Sequence, residues 1–251
     1  MKKNSRRSFL KKSTLAGLSV GLSKSVFAIK KNLKMDNLVV GHGNFKYVID
    51  KNWGTQNFKK FPIDHCHEMV IDKKNRILMT TTHPKNNILI FDRSGKIEVA
   101  WSINYNGAHG LSILDEGDDE FLFITDPENH KVCKTTINGK KIFELNYPKE
   151  IKDYNSEKDF KPTETCIAPN GDIYVADGYG KDFIIRYDSN GNYIGHFGGK
   201  GDKNENFDCC HGITIDTRDK NNMTLLITSR SKNEFKRFTL GGIYIETISL
   251  P

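Results

Sequence analysis

Histidine returns at one point of a repeated sequence pattern, next to a stretch that reads as a β-strand. His67 lies in "HCHEMVI", His109 in "GAHGLSI" and His211 in "CHGITI". Three imidazoles with an open fourth position form a common ligand set of catalytic zinc, and neutral imidazole also suits copper, iron or nickel. The alternative is that histidine is merely tolerated at a partly polar strand start. The pattern therefore raises the hypothesis of a metal site assembled from several repeats.

Two cysteines directly precede candidate ligands, Cys66 before His67 and Cys210 before His211. Neighbouring residues of an extended strand point to opposite faces, so a cysteine and the adjacent histidine do not reach one metal ion without a bulge. We therefore expect Cys66 and Cys210 to be buried beside their strands or paired with another thiol.

The chain has five cysteines, an odd number. In an oxidising compartment this leaves at least one free thiol, an intermolecular bridge or a metal thiolate. A vicinal Cys209–Cys210 disulfide is an alternative that carries strain. Cys133 and Cys166 occupy strand positions and are expected to be small core residues.

A repeated unit of about 45 to 50 residues positions the histidines. Its clearest copy, Pro162 to Gly198, contains four short strands, "ETCIA", "DIYVAD", "FIIRYD" and "NYIGHFG". β-Branched and aromatic residues recur in them near period two, and the Asn-Gly pairs between them are typical of two-residue hairpin turns. The unit is therefore predicted to be a four-stranded antiparallel meander. Three further copies span residues 65–101, 107–145 and 210–248.

A single meander buries one face poorly, so the copies must stack around a common axis. This predicts an all-β fold, a β-propeller of four-stranded antiparallel blades, with no helical pattern outside the N-terminal segment. The equivalent first-strand positions are His67, His109, Thr163 and His211, spaced by 42, 54 and 48 residues. Because the innermost strands of a propeller line its central channel, we expect these side chains to meet at one channel mouth.

The stretch "DIYVADGYGKDFIIRYDSNGNYIGHFGGKGDKNENF" resembles the NHL repeat, and the resemblance extends over about Asp64 to Ile248. NHL-type propellers usually close with six blades, whereas four can be counted here. The resemblance therefore implies a truncated six-bladed propeller that lacks about two blades after Pro251. Residues 64–251 are assigned to the blades, and residues 29–63 to an N-terminal segment with a strand that seals the ring.

Three motifs resemble one enzyme family of this type, the peptidyl-α-hydroxyglycine α-amidating lyases: "GAHGLSI", "KPTETCIAPNGDIYVADGYGKDFIIRY" and "CHGITI…LLITSRSKNEFKRF". The resemblance implies zinc in the channel, with two of its three histidine ligands at His109 and His211. It also places the catalytic tyrosine at Tyr179 and a substrate-facing arginine at Arg230. A metal-activated or tyrosine-derived base would remove a hydroxyl proton, and arginine would stabilise the developing charge.

The chain also departs from the pattern of these lyases. Their third zinc ligand comes from a sixth blade, and the arginine of their first blade falls near Thr82, where it is absent. His67 lies where the lyases have no ligand. Two alternatives follow: a different three-histidine site of His67, His109 and His211, or an ancestral pocket that serves other chemistry.

The N-terminus resembles a twin-arginine (Tat) export signal over residues 1–28, with "SRRSFLK" before a mildly apolar stretch and "VFA" as a cleavage site. This predicts export to the periplasm or the extracellular space, with no permanent membrane anchor after cleavage. The net charge of the whole chain is +7, but this segment holds seven basic and no acidic residues. The remainder has 31 of each, so the basic balance does not indicate a nucleic-acid partner.

Two function classes follow from the sequence. The first is a metal-dependent enzyme, lyase-like or hydrolytic, acting on a small molecule or peptide at the channel mouth. The second is a non-catalytic propeller that binds a peptide, a glycan or a partner protein. Lactonase-like chemistry with calcium is a further alternative, for which Glu68 and Glu164 are the candidate carboxylates.

Overall fold

The computed structural model describes residues 38–54 and 57–250, and the predicted export signal lies outside this part of the chain. The chain divides into two compact units. The first, described over residues 38–52, is a hairpin of β1 (Leu38–His42) and β2 (Phe45–Ile49). Every residue of both strands is exposed. The segment that was predicted to contain a ring-sealing strand thus forms a hairpin, and its sealing role stays a prediction.

The second unit, from Trp53 onward, contains four antiparallel sheets of four consecutive strands each. The first two sheets are β3 (Met69–Ile71), β4 (Ile77–Thr80), β5 (Ile88–Phe91) and β6 (Ile97–Trp101), then β7 (Leu111–Glu116), β8 (Asp119–Asp126), β9 (Lys131–Thr136) and β10 (Lys141–Leu145). The other two are β11 (Glu164–Ile167), β12 (Ile173–Ala176), β13 (Phe183–Tyr187) and β14 (Tyr193–Gly198), then β15 (Cys210–Asp216), β16 (Thr224–Ser229), β17 (Glu234–Thr239) and β18 (Tyr244–Ser249). The predicted all-β meanders are confirmed.

Sheet stacking explains why the middle strands are buried on both faces. In β4, Leu78 packs toward the second sheet and Met79 packs on the opposite face, near Trp53 and Phe61. Similar apolar layers separate the second sheet from the third and the third from the fourth. Successive first strands are in contact, β3 with β7, β7 with β11 and β11 with β15. The sheets are therefore blades of a β-propeller, and the number of blades in a closed ring stays a prediction.

The last turn of each blade differs from the two-residue turn that the sequence predicts. Only the glycine of each turn has a positive φ, between 84° and 87° in all four blades (Gly95, Gly139, Gly191 and Gly242). The flanking residues pair across three loop residues, as Asp92 does with Lys96. This is a type I turn followed by a glycine bulge. A side-chain oxygen selects it: Asp92 Oδ1 accepts the amide of Lys96 at 3.0 Å, and equivalent bonds occur in the other three blades.

In the second, third and fourth blades an apolar side chain of the preceding blade covers the turn glycine. A Cβ added to Gly139 would lie 2.7 Å from the Trp101 ring, and one added to Gly242 would lie 2.6 Å from Phe197. Trp53 covers Gly95 of the first blade in the same way. The Trp53 indole N–H donates to the Arg93 carbonyl at 3.2 Å. One blade later the Trp101 indole N–H donates to the Ile137 carbonyl at 3.1 Å. The docking of one blade on the next is thus the same local contact repeated.

Among residues 38–54 and 57–250, no helix is long and apolar enough to cross a membrane. The helical elements described are two single 3-10 turns, at Glu157–Asp159 and Arg230–Lys232.

Thr135, in β9, gives a test of the core. Its hydroxyl is buried and is the one buried side-chain polar atom without a hydrogen-bond partner in the described part of the chain. We expect Thr135→Val, which removes an unsatisfied polar group at constant size, to raise the free energy of unfolding by about 1 kcal/mol. Urea denaturation measures the change. Thr165→Val is the matched control, because the Thr165 hydroxyl is bonded to Ser112 at 2.6 Å and its loss should destabilise; equal effects of the two changes would contradict the prediction.

Candidate functional site

The starts of three first strands bring the predicted histidines together. The rings of His67 and His109 are stacked, with centroids 4.2 Å apart and planes inclined by 25°. The centroid of His211 lies 4.9 Å from that of His109, at an inclination of 66°. His65 is a neighbour that sequence reasoning did not select, with its ring centroid 6.4 Å from that of His67. Because the blades repeat in register, residues far apart in sequence form one cluster.

Tyr179 and Arg230 complete the cluster. The Tyr179 hydroxyl oxygen lies 2.9 Å from Nε2 of His211 and 3.3 Å from Nε2 of His109. The Arg230 guanidinium donates to the same oxygen at 3.2 Å and lies over the tyrosine ring. The five site residues predicted from the sequence thus lie together, and their catalytic and metal-binding roles stay predictions.

The glycines on both sides of Tyr179 fix the path of its loop. A side chain at Gly178 would clash with the backbone carbonyl of Cys210, and one at Gly180 would clash with the Asp177 carboxylate. That carboxylate accepts the amide of Lys181 at 2.7 Å and the hydroxyl of Tyr154 at 2.6 Å. The sequence "ADGYG" therefore holds a partly exposed tyrosine over the channel mouth (38% exposed).

The hydrogen bond of His109 sets its tautomer. Its Nδ1 lies 2.9 Å from the Thr163 carbonyl oxygen, which can accept a hydrogen bond but cannot donate one. In the neutral ring Nδ1 is therefore protonated, and Nε2 carries the lone pair that faces Tyr179. A carbonyl bound to the second nitrogen is also the usual way in which a metal-ligating histidine is oriented.

Partial desolvation favours the uncharged form of the three imidazoles. It lowers the pKa of His211 to about 4, with further contributions from His109, Arg230 and His67. Burial is also the main cause that lowers the pKa of His109 and that of His67. Neutral imidazole is the form that binds metal ions and accepts hydrogen bonds.

Two of the three histidines direct nitrogen atoms at one point. Nε2 of His109 and Nε2 of His211 approach the same point, now held by the Tyr179 oxygen. A metal ion lies near the plane of each imidazole that binds it, and the nearly parallel planes of His67 and His109 do not meet at bonding distance. His67 would have to rotate before it could act as a third ligand. No group of three or more histidine, cysteine, aspartate or glutamate side chains within the described ranges is arranged to hold a metal ion.

The cysteines are free thiols in the structure, including Cys209 and Cys210. Cys133, Cys166 and Cys210 are buried, as expected. The expectation for Cys66 was wrong: it is exposed, because the chain before β3 is not yet in a sheet, and its thiol donates to the Asp64 carbonyl at 3.1 Å.

A groove of about 540 Å³ runs along the channel faces of β7, β11 and β15, and Glu68 and Glu164 line it. The Glu164 carboxyl accepts the Thr165 amide at 2.9 Å and the Ser112 hydroxyl at 3.3 Å. The two carboxyl groups interact, so the alternative of a channel carboxylate pair has a structural counterpart.

Comparison with known proteins gives two kinds of similarity. No family model matches the chain. A probable peptidyl-α-hydroxyglycine α-amidating lyase of Caenorhabditis elegans is 32% identical over 97 residues, which are 39% of this chain and 27% of that protein. Peptidyl-α-hydroxyglycine α-amidating lyase 1 of Drosophila melanogaster is 26% identical over 176 residues, 60% of this chain and 32% of that protein. The chain spans less than a third of these curated relatives.

Solved structures show the same fold. A streptogramin B lyase structure matches with a TM-score of 0.58 and 19% identity, over 76% of this chain and 56% of that one. Virginiamycin B lyase from Staphylococcus aureus matches with a TM-score of 0.54 and 19% identity, over 74% of this chain and 56% of that one. At this identity the likeness concerns the fold alone. The chain therefore has a β-propeller fold that it shares with lyases of known structure.

Proposed function

We propose that this chain carries the site of an exported, metal-dependent propeller lyase that acts on a peptide-type substrate at the channel mouth. One observation carries the proposal: a single tyrosine oxygen is contacted by two neutral imidazole nitrogens and a guanidinium group. Such convergence is typical of a proton-transfer site and is not needed for blade packing.

The three polar groups suit removal of a proton from a substrate hydroxyl. The Tyr179 oxygen takes that proton in its phenolate form, which the guanidinium of Arg230 stabilises by donating to it at 3.2 Å. The electrons of the broken O–H bond form a carbonyl as the neighbouring C–N bond breaks, and the leaving nitrogen takes up the proton from the Tyr179 oxygen. Arg230 stabilises negative charge on the oxygen atoms of the site and would pair with a substrate carboxylate.

His109 and His211 are the residues that would hold a zinc ion. Their nitrogens converge, and the Thr163 carbonyl orients the first of them, which fits a metal site. A bound zinc ion would polarise the substrate hydroxyl and so ease loss of its proton. Further ligands would come from His67 after ring rotation, from solvent or from substrate.

The similarity to two curated lyases supports the reaction type, and the twin-arginine pattern supports export. By their names, both relatives act on peptidyl-α-hydroxyglycine, so a peptide with a C-terminal α-hydroxyglycine is the first substrate to test.

Metal analysis tests the role of the histidine pair. Protein is purified in the folded state, loaded with zinc and dialysed against zinc-free buffer. The wild type is expected to retain about one zinc ion per chain, and His109→Ala/His211→Ala is expected to retain none. Loss of two imidazole ligands leaves no pair of converging nitrogens. His196→Ala is the matched control, because that imidazole is bonded to Tyr193 outside the cluster. A zinc-free wild-type protein, with stability unchanged in the double variant, would contradict the metal proposal and favour a binding module.

A further inference from the structure

A threonine recurs on the second strand in three of the four blades. Its hydroxyl takes the place of a carbonyl in the ladder and accepts the amide of the residue that follows a channel histidine. The pairs are Thr80 with Glu68 at 3.2 Å, Thr125 with Gly110 at 2.7 Å and Thr228 with Gly212 at 2.7 Å. Each threonine is thus bonded to the backbone beside one of the three histidines.

Two of these hydroxyls also reach the next blade. Thr80 donates to the carbonyl of His109 at 3.2 Å, and Thr125 donates to the carbonyl of Thr163 at 3.0 Å. In the third blade the second strand has Ala176, and Thr163 itself stands where the other blades have histidine. The Thr163 hydroxyl lies 3.1 Å from the carbonyl of Ala176 and 3.0 Å from that of Cys210. The connection between blades is kept although the residues differ.

Thr125 has the most specific position. Its hydroxyl accepts the Gly110 amide, directly after His109, and donates to the Thr163 carbonyl. That carbonyl is also the acceptor of His109 Nδ1. One buried hydroxyl therefore holds both the backbone next to His109 and the group that orients its ring. A carbonyl oxygen has two lone pairs, and both are used here.

We propose that Thr125 is a positioning residue that fixes the ring and the tautomer of His109 through the Thr163 carbonyl. This leaves Nε2 unprotonated and directed at Tyr179. The role deepens the proposed function, but the tautomer can be read in metal-free protein without substrate. Failure of the lyase proposal is therefore distinguishable from failure of this one.

The test is the imidazole spectrum of His109 in the full chain, recorded by long-range ¹H–¹⁵N correlation and assigned with a His109→Asn variant. Wild type is expected to show one tautomer, protonated at Nδ1. In Thr125→Val we expect the Nε2-protonated form to become populated and the Nδ1 proton to exchange with water about tenfold faster, because the acceptor is held by one bond fewer. Thr125→Ser keeps the hydroxyl and should restore the wild-type spectrum.

Thr135→Val is the matched control, since that hydroxyl is buried but has no partner among the described residues. It should leave the His109 signals unchanged. A folded Thr125→Val protein with the wild-type tautomer and exchange rate would overturn the proposal. If Thr125→Val does not fold, Thr125→Cys, with a weak donor of similar size, is read in the same way and should be intermediate. Failure of both to fold would assign Thr125 a purely structural role and also overturn it.

Discussion

Replacing Tyr179 by phenylalanine is expected to lower kcat/KM for a peptide ending in α-hydroxyglycine by about 10²- to 10⁴-fold, the usual contribution of a general base. The change removes one oxygen atom, the atom that His109, His211 and Arg230 all contact. Stability should change little, because the ring is partly exposed and remains in place.

Tyr193→Phe is the matched control for this experiment. Its hydroxyl also lies against a histidine nitrogen, that of His196 at 2.6 Å, but outside the cluster. We expect its kcat/KM to equal that of wild type. The assay is release of the peptide amide, with the fold checked by circular dichroism. Equal activities of Tyr179→Phe and wild type would remove the tyrosine from the mechanism, and absence of activity in wild type at any zinc concentration would contradict the lyase proposal.

Replacing Glu164 by glutamine is expected to raise the free energy of unfolding at pH 8 by about 2–4 kcal/mol and to leave it nearly unchanged at pH 4. Burial in the channel groove, with Glu68 beside it, raises the pKa of Glu164 to about 8. The hydrogen bond from the Thr165 amide opposes this shift without cancelling it.

The sign of the effect follows from proton binding. The unfolded chain loses the Glu164 proton near the ordinary value of 4.5, whereas the folded protein keeps it until about pH 8. The folded state therefore holds an extra proton between these values, and its stability falls as pH rises through this window. Glutamine has the shape of the neutral acid and no proton to lose.

Urea denaturation of wild type and Glu164→Gln from pH 4 to pH 8.5 measures the difference. Taking the difference cancels the pH dependence of the groups that do not interact with Glu164, so the change that remains belongs to Glu164 and its neighbour Glu68. Glu205→Gln, at an exposed position, is the control and should follow wild type throughout. Parallel curves for wild type and Glu164→Gln would show that Glu164 does not carry its proton in the folded protein.

The fold could be predicted because its signals are local. Strand patterns and turn glycines recur in every copy, and repeated meanders have few ways to bury their faces. The predicted turn type was wrong because the actual turn depends on a side chain at its first residue. In the first blade the Asp92 carboxylate accepts the amide of Lys96, four residues later. Asn-Gly alone does not distinguish a two-residue turn from a three-residue turn with a glycine bulge.

The clustering of the histidines could also be predicted, because equivalent positions of the repeated blades lie around one axis. The contacts among them could not. Whether His67 stacks on His109 or points into a shared site depends on side-chain rotation, which no spacing encodes. The role of Thr125 depends on the stagger between neighbouring blades, although the recurrence of threonine in "LMTT", "FITD" and "LITS" was a signal within reach.

The covering of each turn glycine by a residue earlier in the chain has a consequence for synthesis on the ribosome. Trp101 must be in place before the turn at Gly139 can dock, and Phe197 before the turn at Gly242. Each blade thus docks on a part of the chain that has already been synthesised. Growth of this kind has a direction, and the newest blade of a nascent chain leaves an apolar face uncovered until the next blade docks on it. Chaperones that bind the emerging protein would therefore meet a similar surface after each round of about 48 residues.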